Sequence, residues 1–199
     1  MAKLGRLLQQ FDEHRLPVHI TPVARHMFEA IAEALPDPVG TVIRQFLDPA
    51  MTDQVLNLLG NNGQFFDTLL HNTVTATILH GSEKFNVIPS EVAVEVLGRL
   101  LPSYGPDDLI DELRPVIGNE PEIEVLRYDP GPPEPDMGLF DTLASILRDA
   151  DPGGVPIPQL LPASTDGRFF SAAGYPDLWL FADETASRSQ LLSDASRCR

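Results

Sequence analysis

The sequence predicts an α/β fold of the α+β kind, in which helices pack on a small antiparallel sheet. Residues 72–80 and 90–99 alternate β-branched residues with other residues at a period of two, which is typical of half-buried strands. The segments before and after this pair place their apolar residues at helical spacing. The order helix, strand, strand, helix, strand looks like a β-α-β-β-α-β two-layer sandwich without its opening strand.

The chain before the strands is predicted to be helical. The apolar face of a first helix, over residues 3–14, consists of Leu4, Leu7, Leu8 and Phe11. Thr21 followed by Pro22 has the pattern of an N-cap with proline in the first turn, and it opens a second helix that runs to about residue 35. Two shorter helices are expected at residues 39–47 and 52–59, followed by a turn rich in glycine and asparagine at residues 60–63.

The strand pair is predicted to be antiparallel, because Gly81 and Pro89 interrupt the strand pattern and so mark a short connection between the two strands. In the first strand, Val74, Ala76 and Ile78 alternate with threonines, and we expect these three side chains to face the core together. A helix that begins at Pro106, and a third strand at residues 123–128, complete the sandwich.

A proline-rich boundary follows, since four prolines in residues 129–135 exclude both a helix and a central strand. Beyond it, the sequence predicts a helix to about residue 150, a short strand at 155–161, a turn into a helix at 164–170 and an apolar run at 178–182. The sequence therefore predicts four segments. They are a domain with a helical insertion at residues 1–128, a linker at 129–137, a partial second α/β domain at 138–182 and a disordered tail at 183–199.

Composition narrows the classes of function. The formal net charge of −15 over 199 residues argues against binding to nucleic acid and to anionic membrane surfaces. A single cysteine, Cys198, excludes an internal disulfide. The sequence has neither an apolar run of membrane-spanning length nor a signal-peptide pattern at its start, so the expected compartment is the cytoplasm.

Three short motifs carry a resemblance to a known family. They are Asn86-Val-Ile-Pro89, then Gly98-Arg-Leu-Leu-Pro102 at the end of the second strand, and Ser164-Thr-Asp-Gly-Arg168. In this order, the motifs resemble the lid domain and a catalytic-domain loop of the zinc aminoacylase/carboxypeptidase metallopeptidases, which include acetylornithine deacetylase and succinyl-diaminopimelate desuccinylase. The resemblance covers roughly residues 1–173, and it identifies the first domain as the lid, or dimerisation, domain.

The resemblance implies substrate-binding roles for five residues. In the family, the asparagine and arginine at the positions of Asn86 and Arg99 help to hold the carboxylate of the substrate. An arginine suits that task because its planar fork pairs with a carboxylate through two hydrogen bonds. Thr165, Asp166 and Arg168 match a loop that lines the substrate pocket. The alternative is purely structural, with Arg99 solvating a strand end, Asn86 stabilising a turn and Thr165–Asp166 forming a turn before a helix.

The zinc site of the family is incomplete in this sequence. No histidine stands two residues before an aspartate, no Glu-Glu pair is present, and no histidine follows His80. We therefore expect neither catalytic residues nor metal ligands nor a bound cofactor in this chain, whereas intact relatives use zinc. The five histidines, His14, His19, His26, His71 and His80, are expected to be solvated or to lie in an interface, with His19 expected to pack or to cap.

Two functions stay open from the sequence. The first is a fragment of a zinc-dependent hydrolase of acyl-amino acids or small peptides, which contributes contacts to the substrate carboxylate and is inactive alone. The second is a stand-alone dimerisation or binding module. In the family, the lid begins with a strand that lies inside its sheet and precedes the segment where this chain starts, so we expect either marginal stability or homo-oligomerisation.

The C-terminal segment suggests a frameshift. The resemblance stops after Phe170, and one permitted codon set for residues 174–184 reads Ala-Ile-Pro-Thr-Tyr-Gly-Phe-Leu-Pro-Met when shifted by one base, which is similar to the family. On this hypothesis, a single-base shift near residues 170–174 makes Trp179 and its neighbours foreign to the fold. The nucleotide sequence tests the frameshift hypothesis, because the shifted reading frame must stay open and encode a histidine.

Overall fold

The structure, a computed structural model, describes residues 2–131, 137–161, 163 and 165–175. Within these residues the fold is α+β, as the sequence predicts. The helices are α1 Ala2–Glu13, α2 Pro22–Ala34, α3 Val39–Gln45, α4 Pro49–Leu59, α5 Gln64–Leu70, α6 Pro106–Ile117, α7 Phe140–Ala150 and α8 Gly167–Ala172, with a 3-10 turn at Gly60–Gly63. The strands are β1 Thr73–His80 and β2 Ala93–Arg99.

The ends of the long helices follow their local sequence. The hydroxyl of Thr21 accepts a hydrogen bond from the amide of Ala24 at the start of α2, and Asp48 accepts one from Ala50 at the start of α4. A proline occupies the first turn of both helices, where its missing N–H costs nothing. The predicted helices before the sheet are therefore confirmed, with boundaries shifted by a few residues.

The main core lies among α2, α3, α4 and α5, not under the sheet. Phe28, Phe46 and Phe66 form its aromatic centre, with ring centroids 5.1–5.7 Å apart. The fully buried side chains around them are mostly aliphatic and come from all four helices. Ile157 and Leu160, from beyond the proline-rich boundary, also pack against this core. The division of the chain into domains at residue 128 therefore stays a prediction.

Helix α5 is an element that the sequence reading missed. Its seven residues follow the Gly60–Gly63 turn directly, and Leu69 and Leu70 are fully buried. Phe66, Leu69 and Leu70 are spaced as one helical face, which was the available signal. Seven residues make about two helical turns, so these three positions are all of the periodic signal that the segment offers.

The two strands pair in antiparallel fashion, as predicted. Thr73 lies opposite Arg99, and His80 lies opposite Ala93. Behind the pair, α6 packs so closely that a Cβ atom added to Gly98 would lie 2.6 Å from Cδ2 of Leu109. A larger residue at this position would therefore require the Leu109 side chain to move.

One detail of the predicted alternation is wrong. The register shifts between Ala76 and Ile78, which leaves Thr77 as a bulge. The extra residue turns Ile78 to the face opposite that of Ala76, and Ile78 is 47% exposed. The predicted burial of Val74, Ala76 and Ile78 on one face therefore holds only for the first two.

The third predicted strand is also wrong in the structure. Residues 123–128 are irregular, and residues 119–131 make no backbone-to-backbone hydrogen bond with another described residue. The short strand predicted at 155–161 is irregular as well. The apolar run at 178–182 and the predicted tail at 183–199 lie outside the described residues. In the part of the chain that the structure describes, no helix has both the length and the apolar character to cross a membrane.

Candidate functional site

A wide groove lies beside the sheet, and we call it the sheet groove. Its lining includes residues 90–99 on the β2 side and residues 120–131. Apolar side chains of α1, α6 and α7 also line it. Its volume of about 3820 Å³ is several times that of an ordinary small-molecule pocket, for which roughly 300–1,000 Å³ is usual. The sheet groove is therefore large enough for a polypeptide segment.

Four of the five predicted substrate-binding residues line the sheet groove. They are Arg99, Thr165, Asp166 and Arg168. Asn86 does not line it, because it lies in the connection that joins the far ends of β1 and β2. The seven residues of β2 span about 20 Å at the usual rise per residue, so the structure does not bring Asn86 and Arg99 together.

Arg99 and Arg168 differ in what surrounds them. The guanidinium of Arg168 lies 3.3 Å from the carboxylate of Asp129 and stacks 4.7 Å from the ring centroid of Phe169. Arg127 approaches the same carboxylate to 2.7 Å. By contrast, Arg99 forms no ion pair with any described acid and is exposed at the end of β2. Arg99 therefore lines the groove with a charge that no described acid neutralises through an ion pair, and the same holds for Arg6 of α1.

Asp129 is held in its ionised form by two arginines. Desolvation raises the pKa of this carboxyl group, but the hydrogen bonds and charges of Arg127 and Arg168 outweigh it, so that the pKa lies below its usual value. This arrangement attaches the Arg168 loop to the start of the proline-rich segment. It was not predicted, since the sequence offers no local pattern that pairs residues 129 and 168.

Thr165 and Asp166 have local structural roles. The Thr165 hydroxyl accepts a hydrogen bond from the amide of Gly167 at 3.2 Å, which closes a turn before α8. Asp166 stands at the N-cap position of α8, but its side chain makes no capping hydrogen bond. The structural alternative for this loop therefore describes Thr165 well, while Asp166 lines the sheet groove without a capping role.

A second polar arrangement joins the helices to the sheet, and we call it the His19 network. Nε2 of His19 lies 2.7 Å from a carboxylate oxygen of Glu112, and Nδ1 of His19 lies 2.9 Å from the hydroxyl of Tyr104. The amide of Asn72 donates to the same Glu112 oxygen, and its carbonyl accepts from the backbone amide of Leu101. Burial, together with the charges of Glu112 and Asp108, raises the pKa of Tyr104. The prediction that His19 packs is confirmed, since its ring lies 4.3 Å from that of Tyr104.

A third arrangement, the Arg15 cluster, is enclosed by α4, α5 and the start of β1. Nε of Arg15 lies 2.9 Å from Asp67, and the buried ring of His71 lies 3.1 Å from Asp67 and 3.4 Å from Asp53. Burial raises the pKa of Asp67, but the hydrogen bond and charge of His71, followed by those of Arg15, lower it below the usual value overall. The Arg15 guanidinium occupies the position where a cation would neutralise these acids, so the cluster is structural.

Metal ligands were expected to be incomplete. Among the residues that the structure describes, no group of three or more His, Cys, Asp or Glu side chains is arranged to hold a metal ion. The Arg15 cluster comes nearest in residue type, but it already contains its own cation.

The described residues form an α+β domain with a groove beside its sheet, and comparison with known proteins gives the family. The family model described as "Peptidase dimerisation domain", of the M20 peptidases, matches residues 1–124, which is more than half of the chain. The chain therefore belongs to the M20 metallopeptidase family, a family of hydrolases, and carries its dimerisation domain. This result confirms the resemblance noted from the sequence motifs.

A curated relative supports the same assignment. "Probable carboxypeptidase S-like 2" from Dictyostelium discoideum is 28% identical over 109 residues, an alignment that covers 52% of this chain and 21% of the relative. The chain thus spans about a fifth of the length of that relative. No solved structure matches this chain.

Proposed function

We propose that this chain is the part of a zinc-dependent peptidase or amidohydrolase that binds the carboxylate of an acyl-amino acid or small peptide, and that it is not catalytic alone. The observation that carries the proposal is the position of Arg99, an exposed guanidinium on the sheet groove with no ion pair to a described acid. A carboxylate would satisfy this charge through a bidentate hydrogen bond. Zinc, the general base and the ligand histidines would come from other parts of an intact peptidase, and the expected compartment is the cytoplasm.

Arg168 and Asp166 would assist in different ways. Arg168 is held by Asp129 on one side and by the Phe169 ring on the other, so it is positioned before a ligand arrives. Because Asp129 already neutralises part of its charge, Arg168 would help to orient the substrate carboxylate more than it would strengthen its binding. The Asp166 carboxylate would repel a carboxylate ligand and accept a hydrogen bond from an amide N–H, which favours the acyl-amide portion of the substrate. Asn86, at the other end of the sheet, would contact a different part of the substrate or a neighbouring domain.

Side-chain NMR of the arginines tests the proposal. Titration of the chain with an N-acetyl amino acid should shift the Arg99 guanidinium signal, whereas the matching amino acid carboxamide should not. We expect Arg99→Gln to weaken binding more than about tenfold, since a hydrogen bond to a charged group contributes roughly 1.5–3 kcal/mol. Arg44→Gln, on α3 and outside the sheet groove, serves as the matched control and should bind as the unmodified chain does. Equal shifts with the acid and the carboxamide would contradict the proposal.

The alternative is a stand-alone dimerisation module, and one specific observation favours it. The outer edge of β1 is unpaired among the described residues, and the sequence of β1 contains neither acidic residues nor any basic residue except His80. An uncharged strand edge is a template for pairing with a second copy. The family description as a dimerisation domain agrees with such an association.

Light scattering at several concentrations tests this association. We expect the mass to rise above the 21.8 kDa of the monomer as concentration increases, because the two-stranded sheet leaves its edges open. Thr75→Lys, which places a charge on β1, should keep the chain monomeric, and Thr68→Lys on α5 is the matched control. A chain that stays at the monomer mass and unfolds sharply well above about 65 °C would count against the association.

A further inference from the structure

The guanidinium of Arg168 already contacts a carboxylate of the chain itself. Its Nη1 atom lies 3.3 Å from Oδ2 of Asp129, and both side chains line the sheet groove. A carboxylate is also the group that the proposed function assigns to the ligand of this groove. Asp129 therefore presents to Arg168 the same chemical group that a substrate would present.

The contact with Arg168 is the longer of the two ion pairs that Asp129 makes. Charge-assisted hydrogen bonds between a guanidinium nitrogen and a carboxylate oxygen are usually about 2.7–2.9 Å long, and the Arg168 contact exceeds this range. The same Asp129 oxygen lies 2.7 Å from Nη2 of Arg127, which is within the range. Asp129 thus keeps a close cationic partner when it leaves Arg168.

Separation of Asp129 from Arg168 leaves neither side chain buried without a partner. The side chains of Asp129 and Arg168 are 43% and 26% exposed, so water reaches both of them. Ion pairs that water reaches contribute little to stability, because solvent screens the charges and the long side chains lose freedom when they pair. The contact can therefore exchange with a ligand at small cost.

Phe169 holds the Arg168 side chain independently of Asp129. The guanidinium carbon of Arg168 lies 4.7 Å from the ring centroid of Phe169, and both residues belong to the first turn of α8. The aromatic ring attracts the face of the guanidinium group, whereas the N–H donors point outward from its edge. One carboxylate can therefore replace another at this edge while the stacked contact is kept.

We propose that Asp129 is an internal competitor for Arg168, and that a ligand carboxylate binds Arg168 by displacing Asp129, which then stays with Arg127. The inference rests on the proposed function, because it concerns the carboxylate ligand of the same groove. The apparent affinity for that ligand is lowered by the fraction of molecules in which Asp129 occupies Arg168. Asp129 directly precedes Pro130, so ligand binding at α8 changes the contacts of the residue where the proline-rich segment begins.

Binding of N-acetylglycine to two variants of equal charge tests the competition. Asp129→Asn removes the competing carboxylate and should tighten binding about two- to sixfold, which is the effect of freeing an arginine from an exposed ion pair. Glu124→Gln removes the same charge from the lining of the same groove, and it should change binding by less than about 1.5-fold in roughly 0.15 M salt. Both affinities are measured from the arginine guanidinium signals in NMR titrations.

Arg168→Gln shows whether the tighter binding depends on Arg168. In this background, with the Arg99 signal as the readout, Asp129→Asn should no longer tighten binding, whereas a general effect of charge would persist. The carboxylate carbon of Asp129 reports its displacement directly. Saturating N-acetylglycine should move the NMR signal of this carbon in the direction in which Arg168→Gln moves it in the free chain, and N-acetylglycinamide should leave it unchanged.

The outcomes separate the competition from the proposed function. Equal binding by Asp129→Asn and Glu124→Gln, the same gain without Arg168, or an Asp129 signal that stays unchanged at saturation would overturn the competition. If Arg99 then still responds to the acid and not to the amide, the proposed function stands without it. If Arg99 responds equally to both compounds while Asp129→Asn tightens binding of the acid at Arg168, the competition stands and the proposed function is wrong. If N-acetylglycine binds neither the unmodified chain nor Asp129→Asn, both are wrong.

Discussion

Replacing Phe46 with alanine is expected to lower the free energy of unfolding by about 3–5 kcal/mol. The Phe46 side chain is fully buried, and its ring centroid lies 5.1 Å from those of both Phe28 and Phe66. The substitution removes the ring that joins α2, α3 and α5, and the surrounding helices cannot close the cavity completely. Chemical denaturation followed by circular dichroism measures the change.

Phe85→Ala is the matched control for Phe46→Ala. Phe85 lies in the connection between the strands and is fully exposed, so the same chemical change should alter the free energy of unfolding by less than about 0.5 kcal/mol. If the two variants unfold at the same denaturant concentration, the core does not lie among α2 to α5 as the structure shows.

Asn72→Ala is expected to cost about 2–3 kcal/mol, because it leaves buried polar groups without partners. Asn72 is 1% exposed, and its carbonyl oxygen accepts from the Leu101 amide at 2.9 Å while its amide donates to Glu112 at 3.0 Å. It thus connects the start of β1 to the chain after β2 and to α6. Hydrogen exchange should speed up at Leu101 in this variant.

Asn119→Ala provides the comparison, since Asn119 is exposed beyond the end of α6. It should leave both stability and Leu101 exchange unchanged. An Asn72→Ala chain with the stability of Asn119→Ala would show that the sheet is held to the helices by apolar packing alone.

Local sequence was sufficient to predict the elements whose determinants are local. Thr21–Pro22 marks the start of α2, and period-two alternation marks β1 and β2, because capping and pleating depend on neighbouring residues. Ile78 was placed on the wrong face because a bulge at Thr77 depends on the partner strand. Residues 123–128 include Ile, Val and Tyr, which strands favour, but have no partner strand among the described residues, and residue preference alone does not form a strand.

The residues of the candidate site are predicted by family motifs and not by local periodicity. Arg99 and Arg168 were found through motifs that resemble a family, and the structure brings both to the sheet groove. The contact between Arg168 and Asp129, and the His19 network, join residues 29 to 93 positions apart in the chain. No periodicity or short motif encodes such pairings, because they are created by the way α6 and the proline-rich segment fold back.

Turnover of an N-acyl amino acid by the purified chain with added zinc tests the central claim most directly. The account predicts no hydrolysis and no zinc retained after dialysis, because the sequence lacks the family's His-x-Asp motif, its Glu-Glu pair and its last histidine, and the ligands are expected elsewhere in an intact peptidase. Turnover that a chelator abolishes, together with one or two zinc ions per chain in metal analysis, would contradict the account.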